Sequence, residues 1–249
     1  MITVVLGMHK SGTTLLSQIL HQSGISMGEH FDDDVSYDKG NKYEREAALG
    51  LNMAILDTES YGVLGIGAER GLDMTFQQRE IMRSIIRDCD SRHEAWGFKD
   101  PRTALTYKLW AEELPAHKIV AIVRDPAEIW PRFKWRGMRK YLGNFRYAWD
   151  YVNRWYESNA NILDILDTTA HQAAVFEYGT FMTDDEEFRR LEAFIGRPLT
   201  DSRRPDLYRS RSQPDVFLRS ADARLRRRTG RNMDDVVKSL RAWRQAETA

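Results

Sequence analysis

The sequence predicts an α/β fold, a single domain over residues 1–249 in which a central parallel sheet carries helices on both faces. Three observations lead to it. Four short apolar runs, at residues 2–6, 95–98, 118–123 and 173–178, have the length and the branched or aromatic content of strands. Segments with helical spacing separate them, the alternation from which parallel sheets are built. No linker, low-complexity tract or internal repeat divides the 249 residues, and 42% apolar content supplies a sizeable core.

The first run is rich in β-branched residues, as a strand buried on both faces would be, and stops at Gly7. Leu15, Leu16, Ile19 and Leu20 then fall on one helical face, and Ser23 and Gly24 supply the stop. Between strand and helix, Ser11, Gly12, Thr13 and Thr14 stand where the first backbone N–H groups of a helix have no internal partner. Glycine admits close approach, hydroxyls add donors, and the helix dipole favours negative charge, so the loop reads as an anion site. The phosphate-loop template G-x-x-x-x-G-K-[ST] matches at Gly7, Gly12 and Thr14, with Thr13 at the lysine position. In triphosphate sites that lysine reaches the outer phosphates and the next hydroxyl holds magnesium. The lysine of this loop, Lys10, lies three residues earlier, placed beside a bound group rather than over a triphosphate tail.

Residues 27–38 are acidic around Asp32, Asp33 and Asp34 and read as a solvated loop, followed by a turn at Gly40 and Asn41. Ala47, Ala48, Leu51 and Ile55 give residues 43–57 helical spacing, with Glu44 in the first turn, where the dipole favours a carboxylate. Gly62, Gly65, Gly67 and Gly71 are too widely spaced for a nucleotide fingerprint and read as a loop. Residues 75–90 form an amphipathic helix with Met82, Ile85, Ile86 and Cys89 inward.

The next two strands repeat one design: strand, basic residue, aspartate, proline, with Lys99, Asp100 and Pro101 in one and Arg124, Asp125 and Pro126 in the other. Aspartate caps the following helix, proline takes its first position, and the basic residue is left at the carboxyl end of the strand. Ligands of open parallel sheets bind beyond those ends, so Lys99, Arg124 and the anion loop converge on one crevice.

Residues 130–156 hold ten of the 27 aromatic side chains. Tyr141, Phe145 and Trp149 recur every four residues, as do Tyr147, Tyr151 and Trp155, giving a helix aromatic on two faces, one for the core and one available to line a ligand pocket. After the fourth strand a helix over residues 184–195 ends at Gly196 and Pro198. Residues 203–244 are basic, with 13 Lys and Arg against 5 Asp and Glu.

The stretch from Lys10 to Leu15 after a strand resembles the 5′-phosphosulfate loop of sulfotransferases that use 3′-phosphoadenosine 5′-phosphosulfate (PAPS). Residues 119–126 are similar to the family's 3′-phosphate segment, in which a strand-end arginine, here Arg124, and a serine eight residues on hold the 3′-phosphate. Arg132 stands at the serine position, with more charge and reach. Phe98 to Pro101 resembles the Lys-Asp-Pro segment of tyrosylprotein and related bacterial sulfotransferases. Lys42 to Glu44 resembles the Gly-x-x-Glu segment carrying their base, with Gly40 displaced by one, and residues 175–178 resemble the late strand of the bacterial enzymes. The resemblance implies a phosphate-loop-like fold in its sulfotransferase variant and PAPS as co-substrate without a metal. It implies donor binding by His9, Lys10, Ser11, Gly12, Thr13, Thr14, Arg124 and Arg132, and catalysis by Lys10, Lys99 and the base Glu44. The acceptor it implies is a hydroxyl of a small molecule, sugar or natural product. Residues 226–231 fall where the family often has a basic nucleotide loop, and read equally as a solvated helix end.

Charge narrows the alternatives. With 37 basic and 37 acidic residues, no net field argues for nucleic acid. Cys89 is the single cysteine, which excludes an internal disulfide and a cysteine-built zinc site, and the six histidines show no metal-ligand spacing. No apolar run approaches the ~20 residues of a membrane span, and a strand at residue 2 leaves no room for a leader, so a cytoplasmic protein is expected. Two rival functions stay open, a metal-dependent small-molecule kinase on the same loop and a non-catalytic nucleotide-binding protein.

Overall fold

A computed structural model describes residues 1–32, 35–59, 62–64, 66, 71–137, 141–209 and 213–247. Asp33, Asp34, Gly65 and Gly67 of the loops noted above lie outside them.

Four parallel strands, β1 (Ile2–Leu6), β2 (Trp96–Lys99), β3 (Lys118–Val123) and β4 (Gln172–Glu177), form one sheet in the order β2-β1-β3-β4. Every expected strand is present. Pairing of Val5 with Lys99 and of Val123 with Glu177 brings the carboxyl ends of the strands together along one edge. β1 is buried along its whole length, and its side chains alternate between two cores. Ile2, Val4 and Leu6 face one apolar cluster, in which Trp110, Tyr151 and Trp155 are fully buried. Val5 faces the other, built on Leu15, Leu16, Ile19 and Leu20 together with Phe181 and Leu191.

Helices fill both faces: α1 (Thr13–Gln22), α2 (Glu46–Ile55), α3 (Phe76–Arg92), α4 (Thr103–Glu113), α5 (Pro126–Gly137), α6 (Tyr141–Thr168), α7 (Tyr178–Thr183), α8 (Asp185–Ile195), α9 (Val216–Thr229) and α10 (Met233–Glu247). Local chemistry sets their ends. Thr75 and Gln78 form a reciprocal capping box at the start of α3. Asp184 caps α8, which stops at Gly196 in a left-handed conformation. Asp125 accepts from the Ala127 N–H at 2.7 Å, with Pro126 opening α5 as expected.

Three expectations shift. α2 begins at Glu46, because Tyr43 has a positive φ of 48° that no helix accepts, so Glu44 lies before the helix rather than in its first turn. α4 begins at Thr103, two residues after Pro101, because Asp100 turns inward to Arg102 and Asn52. The two aromatic rows of α6 also divide differently. Tyr151 and Trp155 enter the core, while Phe145, still 36% exposed, packs edge-on against Phe217 and Trp149 lies under Arg224 at 4.1 Å, both partners belonging to α9. The side chain of Tyr141 lies outside the described residues. The run Arg226 to Arg228 occupies the last turn of α9, where cations complement the helix dipole.

Candidate active site

The carboxyl ends of the strands open onto a cleft of about 810 Å³. Its walls include His9, Lys10, Gly12, Thr13, Thr14, Glu44, Lys99, Arg124 and Arg132, nine of the ten residues singled out in the sequence. Ser11 is the exception. It is 1% exposed, and both its N–H and its hydroxyl donate to the Met8 carbonyl, at 3.1 and 2.7 Å. Its work is to close the turn, not to offer a donor to the cleft.

The loop owes its shape to two unusual residues. Lys10 has φ of 71° and Gly12 of 110°, the left-handed region. A Cβ on Gly12 would stand 2.3 Å from the Tyr178 ring, so glycine is required there by conformation and by space. Gly12 opens α1 without a side-chain cap, and no acidic residue lies in the first turn. The helix's leading N–H groups therefore meet the cleft with no carboxylate of their own turn beside them, the arrangement that binds anions.

At the centre lies Lys99. Its Nζ donates to Glu44 Oε1 at 2.8 Å and to Thr14 Oγ1 at 3.3 Å, so one ammonium group joins a carboxylate to the anion loop. Lys99 is 2% exposed; burial lowers its pKa, and the adjoining Glu44 carboxylate opposes that shift. Glu44 is held from both sides. The Tyr43 ring, fully buried, packs 4.9 Å from Phe31. Arg45, 2% exposed, donates to the Gly97 and Ser26 carbonyls at 3.1 and 2.8 Å and pairs with Glu29.

Beneath Lys99, Asn52 of α2 uses its whole amide. Nδ2 donates to Asp100 Oδ2 and Thr103 Oγ1, both at 3.1 Å, and Oδ1 accepts from Thr106 Oγ1 and Trp110 Nε1, both at 2.8 Å. The helix that follows Glu44 is thereby tied to the segment that follows Lys99. Burial raises the Asp100 pKa, and the Arg102 guanidinium opposes it.

On the other side, Arg124 Nε donates to Glu128 Oε2 at 2.9 Å, and its guanidinium lies 4.2 Å over the Tyr178 ring. Tyr208 donates to the second Glu128 oxygen at 2.8 Å. Arg132 reaches the cleft from an exposed position on α5, its pKa lowered first by the protein packed around it and then by Arg124. Two guanidinium groups facing one space favour an anion between them.

Sequence reasoning missed Tyr178, Tyr37 and Phe133 as cleft residues, and placed Tyr147 in one of two aromatic rows without deciding which row meets the cleft. For Tyr178 the signal was present: it follows β4 as Arg124 follows β3, and the same strand-end rule applies. Tyr37 had none, since its N–H is fastened to Gln18 Oε1 at 2.7 Å across a distant stretch of chain.

A family model described as "Sulfotransferase family" matches residues 3–201. The chain belongs to the sulfotransferase family. Among solved structures, this sulfotransferase is similar to one described as the "Sulfotransferase Domain from the Curacin Biosynthetic Pathway", with a TM-score of 0.51 and 16% identity over 88% of this chain and 82% of that one. At that identity the likeness shows the fold alone. No curated protein matches the sequence. Tyr208, which buttresses the Arg124–Glu128 pair, lies beyond the matched segment. Among the described residues no helix is long and apolar enough to cross a membrane, and no group of three or more His, Cys, Asp or Glu is placed to hold a metal ion.

Proposed function

We propose that this sulfotransferase moves the sulfuryl group of PAPS to an acceptor hydroxyl. The observation that carries the proposal is the Lys99 ammonium, in contact at once with Glu44 and with Thr14 of the anion loop. Glu44 takes the proton of the acceptor hydroxyl, and the acceptor oxygen attacks sulfur. The bond from sulfur to the bridging phosphate oxygen breaks as the new S–O bond forms, leaving a sulfate ester and 3′-phosphoadenosine 5′-phosphate. Lys10 and Lys99 meet the charge that develops on the departing 5′-phosphate oxygen, and Arg124 with Arg132 hold the 3′-phosphate. A biosynthetic role for the solved relative supports a small-molecule acceptor.

The test is thermal stability with ligand. The bisphosphate product raises Tm without magnesium, by the equivalent of about 2.7 kcal/mol at a hundredfold excess over Kd, while ADP does much less. Strong stabilisation by ADP with magnesium, and none by the bisphosphate, would replace this function with that of a kinase. Alanine at Lys10 or Lys99 lowers kcat by about 10² or more with a smaller effect on donor affinity; binding without any turnover in the parent protein would mark a non-catalytic nucleotide-binding protein.

A further inference from the structure

The cleft wall is sorted by chemistry. The anion loop, Arg124 and Arg132 make one part of it charged, and Glu44 with Lys99 stands at the transfer point. The remaining surface includes an apolar set, Val63, Leu64, Pro101, Phe133 and Tyr147, beside Lys42 and Arg102. Val63 belongs to a small buried cluster with Leu56 and Ile66, against which Leu64 and Leu105 of α4 pack, and the Phe133 ring lies 6.2 Å from that of His9 and 5.1 Å from that of Tyr151. Val63, Leu64, Phe133 and Tyr147 each lie in or against the protein's apolar clusters.

What this wall lacks is equally informative. Among the described lining residues there is no Asp, Asn, Gln or Ser, and Glu44 is the sole carboxylate. One Glu44 oxygen already accepts from Lys99. A saccharide presents several neighbouring hydroxyls, each needing a partner once water is displaced, and carboxylates and side-chain amides are the groups that supply donors and acceptors at that density. A cationic acceptor meets six lining cations, Lys10, Lys42, Lys99, Arg102, Arg124 and Arg132, against that one carboxylate.

We propose that the acceptor is a single hydroxyl on a predominantly apolar body, an alkyl or aryl alcohol, seated against Val63, Leu64, Pro101, Phe133 and Tyr147. This rests on the sulfuryl-transfer function above and narrows its acceptor. Apolar surface binds such a body without demanding partners, and the reacting hydroxyl is the one polar group left to meet Glu44.

The experiment loads the full chain with 3′-phosphoadenosine 5′-phosphate, measured by calorimetry. It then compares 1-decanol, 2-naphthol, methyl glucoside, ethanolamine and an acidic tyrosine peptide, both for binding to the loaded protein and for transfer of labelled sulfuryl from PAPS. The apolar alcohols are expected to exceed methyl glucoside and ethanolamine in kcat/KM by roughly 10², the discrimination that unpaired polar groups produce. Leu64→Ala and Tyr147→Ala are expected to raise KM for 2-naphthol about tenfold while bisphosphate affinity stays unchanged. With the bisphosphate bound, a preference for the sugar, the amine or the peptide, or failure of both apolar alcohols to bind, overturns the acceptor class and leaves the donor assignment standing. Failure of the bisphosphate to bind overturns the proposed function and this inference with it.

Discussion

Glu44→Gln separates a catalytic carboxylate from a structural one. The Lys99 and Glu44 side chains are 1% and 15% exposed and 2.8 Å apart. Removing the counter-charge of a fully buried cation costs about 3–5 kcal/mol. Glutamine keeps an oxygen that accepts from Lys99, and Glu44 retains some contact with water, so the expected loss is about 2 kcal/mol. In a chain of this size that corresponds to a fall in Tm of about 4–8 °C. A carboxylate that merely met a helix dipole would cost about 0.3–1 kcal/mol, and Glu44 precedes α2 in any case.

The deficit has a pH signature. Burial lowers the Lys99 pKa from 10.5, and Glu44 holds it up against burial; without Glu44 it falls further. A folded state binding fewer protons than the unfolded chain gains stability as pH rises. The variant therefore recovers stability over the whole range from its lower Lys99 pKa towards 10.5, and the parent only over the upper part of that range. The gap between them should narrow as pH rises through that range towards 10.5, read by urea unfolding at several pH values. Single-turnover transfer is expected to fall by about 10² or more, with bisphosphate affinity retained. A variant with the deficit but full turnover would make the pair structural and move the base elsewhere, with the aspartates around Asp32 the next place to look. A variant with no deficit and full turnover would refute the reasoning altogether.

Arg124→Ala and Arg132→Ala should each weaken the bisphosphate by about 1.5–3 kcal/mol and leave adenosine 5′-phosphosulfate, which lacks the 3′-phosphate, nearly unaffected by calorimetry. They differ in stability: Arg124→Ala deprives Glu128, 7% exposed, of its counter-charge and lowers Tm, whereas Arg132→Ala does not. Unaltered affinity in Arg132→Ala would make that arginine a surface substitution. Asn52→Leu withdraws hydrogen-bond partners from Asp100, Thr103, Thr106 and Trp110 at once, for an expected loss of about 3–5 kcal/mol in urea unfolding. A loss below about 1 kcal/mol would show that the neighbours find other partners.

Much of the site was legible because strand ends and helix starts are local events. Glycine at a left-handed position, small polar residues at a helix start and a basic residue after a buried strand each follow from a few consecutive residues. A parallel sheet then brings such ends together whatever the intervening loops do. This is why Lys10, Lys99 and Arg124 meet in one cleft although they are far apart along the chain.

The orientation of individual side chains was not legible in this way. Ser11 looked like an anion donor, yet the turn uses its hydroxyl and its N–H for Met8. Glu44 looked like the first turn of a helix, yet Tyr43 and Arg45 are anchored elsewhere in the molecule and hold it clear of α2. Tyr147 shares a four-residue spacing with Tyr151 and Trp155, but only packing sends it to the cleft while they enter the core. The amide of Asn52 looked like any helical asparagine until four partners from other segments closed around it. The sequence by itself determined the sheet, the anion loop and the edge where charge gathers, since these depend on local propensity and on a simple topological rule. The tertiary structure decided which groups touch and which face the acceptor, because those depend on contacts between segments remote in sequence whose energies no local pattern encodes.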